Sequence, residues 1–222
     1  SAFVDLRFVV WNKVFVNLKG IWDGQKMARV FSWLRPNDLI WNYWVNNYLL
    51  GNTPPAFDIL YWNPDTTNLP AELHRELMDL TKTTALAQRG KLHINDTPID
   101  LSKITCDSYV VSGLTEHICP WKACYRSSKL LGGKTEFILS TSGHIQSILN
   151  PPGNPKASFR INSKYPESPD AWIKDAETHN GSWWEHWKAW ILERSDDTKK
   201  APKKLGNATY LPKHDAPGEY VY

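Results

Sequence analysis

Glu116 and His117 in "SGLTEHICPW", with His144 in "STSGHIQS", are the side chains whose types and spacing suit acid–base chemistry. Glu116 lies 28 residues before His144, and an acid-then-histidine order is one of those used by nucleophilic triads. The carboxylate would accept the proton-bearing imidazole nitrogen and fix the tautomer, leaving the other nitrogen free to deprotonate a nucleophile. His117, directly beside Glu116, is a second candidate base and a poorer partner for that acid; it suits a hydrogen-bonding role at a pocket rim, or a purely structural one. The plain alternative makes Glu116 a solvated turn acid and His144 a polar loop residue.

No nucleophile accompanies them. Neither G-x-S-x-G nor G-x-C-x-G occurs. Cys119 and Cys124 follow the acid, at the mouth and on the apolar face of a helix, while Cys106 precedes a strand; all three read as small packed hydrophobes. They form neither an even disulfide set nor a metal-spaced pair, so reduced cytoplasmic thiols are expected, with no metal or cofactor.

The acid and the histidine need elements to carry them. "DSYVVSG" is a short strand candidate from Asp107 to Ser112, stopped by Gly113. Pro120 opens a helix whose apolar side carries Trp121, Cys124, Tyr125, Ser128 and Leu131, and Gly132-Gly133 ends it. "KTEFILS" is the next strand candidate, and the loop after it holds His144. Strand, loop, helix and strand in this order predict a parallel sheet covered by helices, which brings both loops to one edge.

Around this core the chain changes character. In residues 26–97 the reading is helical and rich in aromatics, like a cap. Asn37 is a candidate N-cap, Trp41, Trp44, Val45, Tyr48 and Leu49 recur at helical spacing, and Gly51 stops the helix, which is expected to pack between other elements. After Pro70, Leu73, Leu77 and Leu80 share one face of a further helix. "SWWEHWKAWILER" predicts a helix with a Ser182–Glu185 capping box and a stripe of Trp183, Trp187, Trp190 and Ile191 laid on the sheet. Residues 98–194 thus read as the α/β core portion and 195–222 as a surface tail. Residues 1–25 stay unassigned, with 1–18 either strand or apolar helix.

Composition narrows the classes. Twelve Trp among 222 residues predict large aromatic packing surfaces or an apolar groove. A net charge of +3, without a basic stripe, argues against nucleic acid, and the Lys199, Lys200, Lys203, Lys204 cluster reads as solvated. No stretch is long and apolar enough for a signal core or a membrane span. The chain has no initiator methionine and is expected to begin inside a longer protein.

Several strings then carry a resemblance: "FSWLRPNDLIWNYWVNNYLLGNTPPAFDILYWNPDTTNLPAELH", "NDTPIDLSKI", "HICPWKACYRSSKLLGGKTEFILSTSGHIQSILNPPGNPK", and "SWWEHWKAWILERS" leading into "KKAPKKLGN". Over roughly residues 26–222 the chain resembles the polyhydroxyalkanoate (PHA) synthases, the PhaC polymerases, in the type that favours medium-chain monomers. The resemblance implies the C-terminal portion of an α/β-hydrolase fold with a helical cap, the nucleophile-bearing half lying upstream. It implies acyl transfer: (R)-3-hydroxyacyl groups pass from coenzyme A (CoA) thioesters into polyester, CoA being part of substrate and product. It puts His144 on the general base, Glu116 where the family has Asp, and His117 on the neighbouring histidine. Glu's extra methylene, about 1.5 Å of reach, puts that site's competence in question. A homodimer at the surface of a cytoplasmic polyester granule is the implied setting. The alternatives are a non-catalytic fragment or paralogue acting in dimer formation or granule association, and an ester or thioester hydrolase.

Overall fold

The computed structural model describes residues 16, 19–34, 36–54, 65–215 and 218. The chain forms two compact units, Ser1–Thr83 with Lys200–Tyr222, and Thr84–Lys199.

In the first unit, β1 (Ile21–Trp22) pairs antiparallel with β2 (Leu69–Pro70). Helix α1 (Gly24–Leu34) follows β1, and two broad turns of helix follow it, α2 (Asn37–Trp41) and α3 (Trp44–Leu49). These are wound wider than an α-helix: Asn42 N–H reaches Asn37 O and Leu50 N–H reaches Val45 O, five residues back. The expectation that this segment packs between elements is corrected. Trp41, Trp44, Val45, Tyr48 and Leu49 are all exposed, because helical spacing gathers apolar side chains on a face without supplying anything to cover it. Asn37 does not cap; Pro36 occupies that position and offers no side-chain bond. Helix α4 (Ala71–Thr83) forms as expected, yet Leu73 and Leu77 are exposed and its buried residue is His74. His74 stacks on Trp22 with ring centroids 4.6 Å apart, and burial lowers its pKa. The element expected at residues 1–18 lies outside the described residues, Val16 excepted.

The second unit carries the sheet. A small hairpin, β3 (His93–Ile94) with β4 (Thr97–Pro98), turns through Asn95 and Asp96, both at positive φ. Then come β5 (Ser108–Gly113), α5 (Trp121–Ser128), β6 (Thr135–Ser140), α6 (His144–Leu149), β7 (Ser158–Ile161), α7 (Pro169–Lys174), β8 (Glu177–Asn180) and α8 (Trp183–Leu192). The four strands lie in chain order. β5 and β6 run parallel in register from Ser108 opposite Thr135 to Gly113 opposite Ser140, with α5 as the connection. The expected parallel sheet stops there: β7 and β8 are both antiparallel to their neighbours, joined by connections that turn back without returning to the starting edge.

Alternation along β6 buries both faces. Phe137 and Leu139 meet Trp121 and Tyr125 of α5 and Trp172 of α7, while Ile138 on the other side meets Phe159 and Trp183 of α8. Ser182 caps α8 by accepting from Trp184 N–H, 3.1 Å away, instead of closing a box with Glu185. The stripe of α8 is also rotated from the expected one. Trp183, His186 and Trp190 face Tyr109, whose hydroxyl lies 2.8 Å from His186 Nδ1, whereas Trp187 is exposed. Residues beyond α8 that are described form no helix or strand and are largely exposed.

Candidate functional site

Parallel pairing puts the carboxyl ends of β5 and β6 at one edge, and two glycines let the loops beyond them touch. A Cβ on Gly113 would stand 2.7 Å from Ser142 O and 2.8 Å from Ser147 Oγ. One on Gly143 would stand 2.7 Å from both Thr115 O and Thr115 Oγ1. Only hydrogen fits at either position, so the β5 loop and the β6 loop lie backbone against backbone. Leu114 N–H donates to Ser140 O at 2.8 Å and extends the ladder one step past the strand end.

The β5 loop turns on Glu116. Its side chain is 11% exposed, and Oε1 accepts from Ile118 N–H at 2.6 Å and Cys119 N–H at 3.4 Å. The Ile118 bond is the main reason its carboxyl ionises below the ordinary glutamate range. The bond from Cys119 and the nearby imidazoles of His144 and His117 act in the same sense, against the desolvation that opposes them. With Oε1 committed to backbone donors, Oε2 faces the histidine.

His144 is not in a loop but opens α6. Gly143 before it is extended and His144 itself has φ +50°, a left-handed conformation that costs a non-glycine residue about 1–3 kcal/mol. The strained turn presents Nδ1 to Glu116 Oε2 at 3.3 Å, an approach longer than a closed charge-assisted hydrogen bond of about 2.7–2.9 Å. Nε2 has no hydrogen-bond partner among the described residues, and the side chain is 47% exposed. His117 Nδ1 is 3.9 Å from Glu116 Oε1, and its ring centroid is 5.8 Å from that of His144. One carboxylate therefore sits between two imidazoles, closer to that of His144.

The three cysteines are unpaired, and Cys124 Sγ lies 3.6 Å from Cys119 O. Among the described residues no thiol is hydrogen-bonded to His144, and no group of three or more His, Cys, Asp or Glu side chains is arranged to hold a metal ion. No described helix is long and apolar enough to cross a membrane.

The alpha/beta hydrolase fold family model matches residues 10–151, a stretch that includes Glu116, His117 and His144. The chain belongs to the α/β-hydrolase fold family. It is similar to poly(3-hydroxyalkanoate) polymerase 1 of Ectopseudomonas oleovorans, 55% identical over all of this chain and 40% of that protein. Polymerase 2 of the same organism is 57% identical over 221 residues, again 40% of its length. The polymerase subunit PhaC of Cupriavidus necator is 44% identical over 199 residues, which is 89% of this chain and 34% of that protein. The chain thus spans about two fifths of the length of the E. oleovorans relatives.

Within this α/β-hydrolase portion, the predicted acid and both predicted imidazoles come together at one sheet edge. One oxygen of Glu116 folds back on the backbone of its own turn while the other faces His144 Nδ1. Of the residues that make this meeting sterically allowed, Gly113 reads in the sequence only as a strand stop, and Gly143 only as the neighbour of His144. The signal was present: a glycine stands at the end of one strand and another directly before the histidine, where close backbone approach calls for one.

Proposed function

We propose that this chain supplies the acid and the base of an acyltransferase that polymerises (R)-3-hydroxyacyl groups from CoA thioesters into PHA. The observation that carries this reading is the 3.3 Å approach of Glu116 Oε2 to His144 Nδ1, which leaves Nε2 open, in a chain 55% identical to a poly(3-hydroxyalkanoate) polymerase. His144 Nε2 takes the proton of a cysteine thiol contributed by sequence outside this chain. The thiolate adds to the thioester carbonyl, the CoA sulfur leaves with that proton, and an acyl-enzyme remains. Nε2 next removes the proton of a 3-hydroxyl on a monomer or growing chain, whose oxygen attacks the acyl carbonyl and displaces the enzyme sulfur, which takes that proton from Nε2 to restore the thiol. Glu116, ionised throughout at neutral pH, steadies the imidazolium formed in each step. His117 stands at the rim, near enough to bond a polar group of substrate.

The exposed aromatic surface of α2 and α3 supports a homodimer and contact with an apolar polyester granule in the cytoplasm. A second reading, ester or thioester hydrolysis, is favoured by the half-exposed imidazole, which water can reach.

The test is made in the intact protein. His144→Gln should abolish CoA release, and Glu116→Asp should preserve or raise it. Unchanged release in His144→Gln defeats the assignment, and free hydroxy acid in place of polymer would decide for hydrolysis.

A further inference from the structure

Helix α6 has only six residues and starts in strain, so its position depends on what grips its far end. The carbonyls of a last helical turn have no partner within the helix. Here the three successive residues that begin α8 supply them. Trp183 Nε1–H donates to Ser147 O at 2.9 Å, within the buried interior. Trp184 Nε1–H donates to Ile148 O at 3.4 Å, and the Ser182 hydroxyl donates to Asn150 O at 2.6 Å. Asn150 in turn bonds Ser140 Oγ at 3.2 Å, tying the same end of the helix back to the last residue of β6. The grip reaches the histidine itself: Ser147 Oγ–H donates to His144 O at 2.7 Å, and Ser147 O is the atom that Trp183 holds.

From this chain of bonds we propose that Trp183 is a positioning residue for His144. Its indole N–H fixes Ser147 and thereby keeps the imidazole of a strained residue aligned on Glu116. Trp183 touches no reacting group. Its other contacts are packing ones, with Tyr109, Ile138, Phe159 and the rings of Trp184 and Trp187, so the N–H can be removed while an aromatic ring stays. Trp190 is the natural comparison, because it packs on the same Tyr109 from the same helix and makes no bond to α6.

The effect on rate rests on His144 being the base; the effect on the imidazole does not. In the full-length protein labelled with 15N-histidine, Trp183→Phe should shift the neutral His144 ring from the Nδ1–H tautomer that Glu116 selects toward the Nε2–H form, with Glu116→Gln as the reference for loss of the carboxylate. The kcat for CoA release should fall about tenfold with KM nearly unchanged, as expected for misaligned groups, while Trp190→Phe alters neither readout. If His144→Gln retains activity, the base assignment fails and the tautomer still decides the positioning claim. An unchanged tautomer in Trp183→Phe overturns the proposal, as does a tautomer change of equal size in Trp190→Phe.

Discussion

At Glu116 two demands on one carboxylate are met by giving each oxygen a separate task. Oε1 is bound by Ile118 and Cys119 N–H groups, and Oε2 faces His144. Because those contacts favour the charged form, the folded pKa lies below the ordinary value near 4.5. The sign follows from linkage: a depressed carboxylate contributes stability above its unfolded pKa and loses it as pH falls through the folded one. Stability should therefore decline below about pH 4.5 more steeply in the parent than in Glu116→Gln, measured as urea midpoints at successive pH values. Parallel curves would show that the Ile118 bond carries no such weight. Glutamine can still accept from Ile118 N–H, so the variant should fold near neutral pH while CoA release in the intact protein drops at least a hundredfold, as for a triad that loses its charged orienter.

The site depends on elements through their ends, not their lengths. β5 and β6 are ordinary six-residue strands; the two side chains meet because the strands are parallel, β5 ends on Gly113, and the loop after β6 carries Gly143. Gly143→Ala would place a Cβ 2.7 Å from Thr115 O, a backbone atom that cannot step aside cheaply. The two loops would separate, at a cost of about 1–3 kcal/mol as for other overpacked sites. Activity should fall further than stability, since the same displacement moves His144 from Glu116. Denaturant unfolding alongside CoA release checks this, and near-parent activity with parent stability would contradict it.

On the scale of the molecule, the sheet that aims these ends is fixed by a core of aromatics on both faces. Trp172 of α7 is fully buried, with Phe137 5.1 Å and Tyr125 5.8 Å away between ring centroids. Trp172→Ala should cost about 3–5 kcal/mol, read as a lowered denaturant midpoint. Its indole N–H finds no partner in the core, so Trp172→Phe removes an unsatisfied group along with some volume and should cost clearly less than the alanine change. Equal losses in the two variants would show that the N–H is satisfied in solution.

The chain by itself determined the strand–helix–strand unit from Ser108 to Ser140, because short apolar runs, a proline start and glycine stops are local signals. It marked the acid and the histidine as candidates, because residue type and order are written in it. Three matters were decided only by tertiary structure. The reversal of β7, and with it the antiparallel pairing of β8, depends on which neighbour each strand meets. The exposed leucines of α4, with His74 buried in their stead, and the turn of α8 that brings His186 inward depend on which face finds a neighbour. The left-handed start of α6 is a strained state that no local preference selects; it persists because Gly143 beside it meets the β5 loop, while Gly113, Ser182 and Trp183, from distant parts of the chain, hold the two ends of the segment in place.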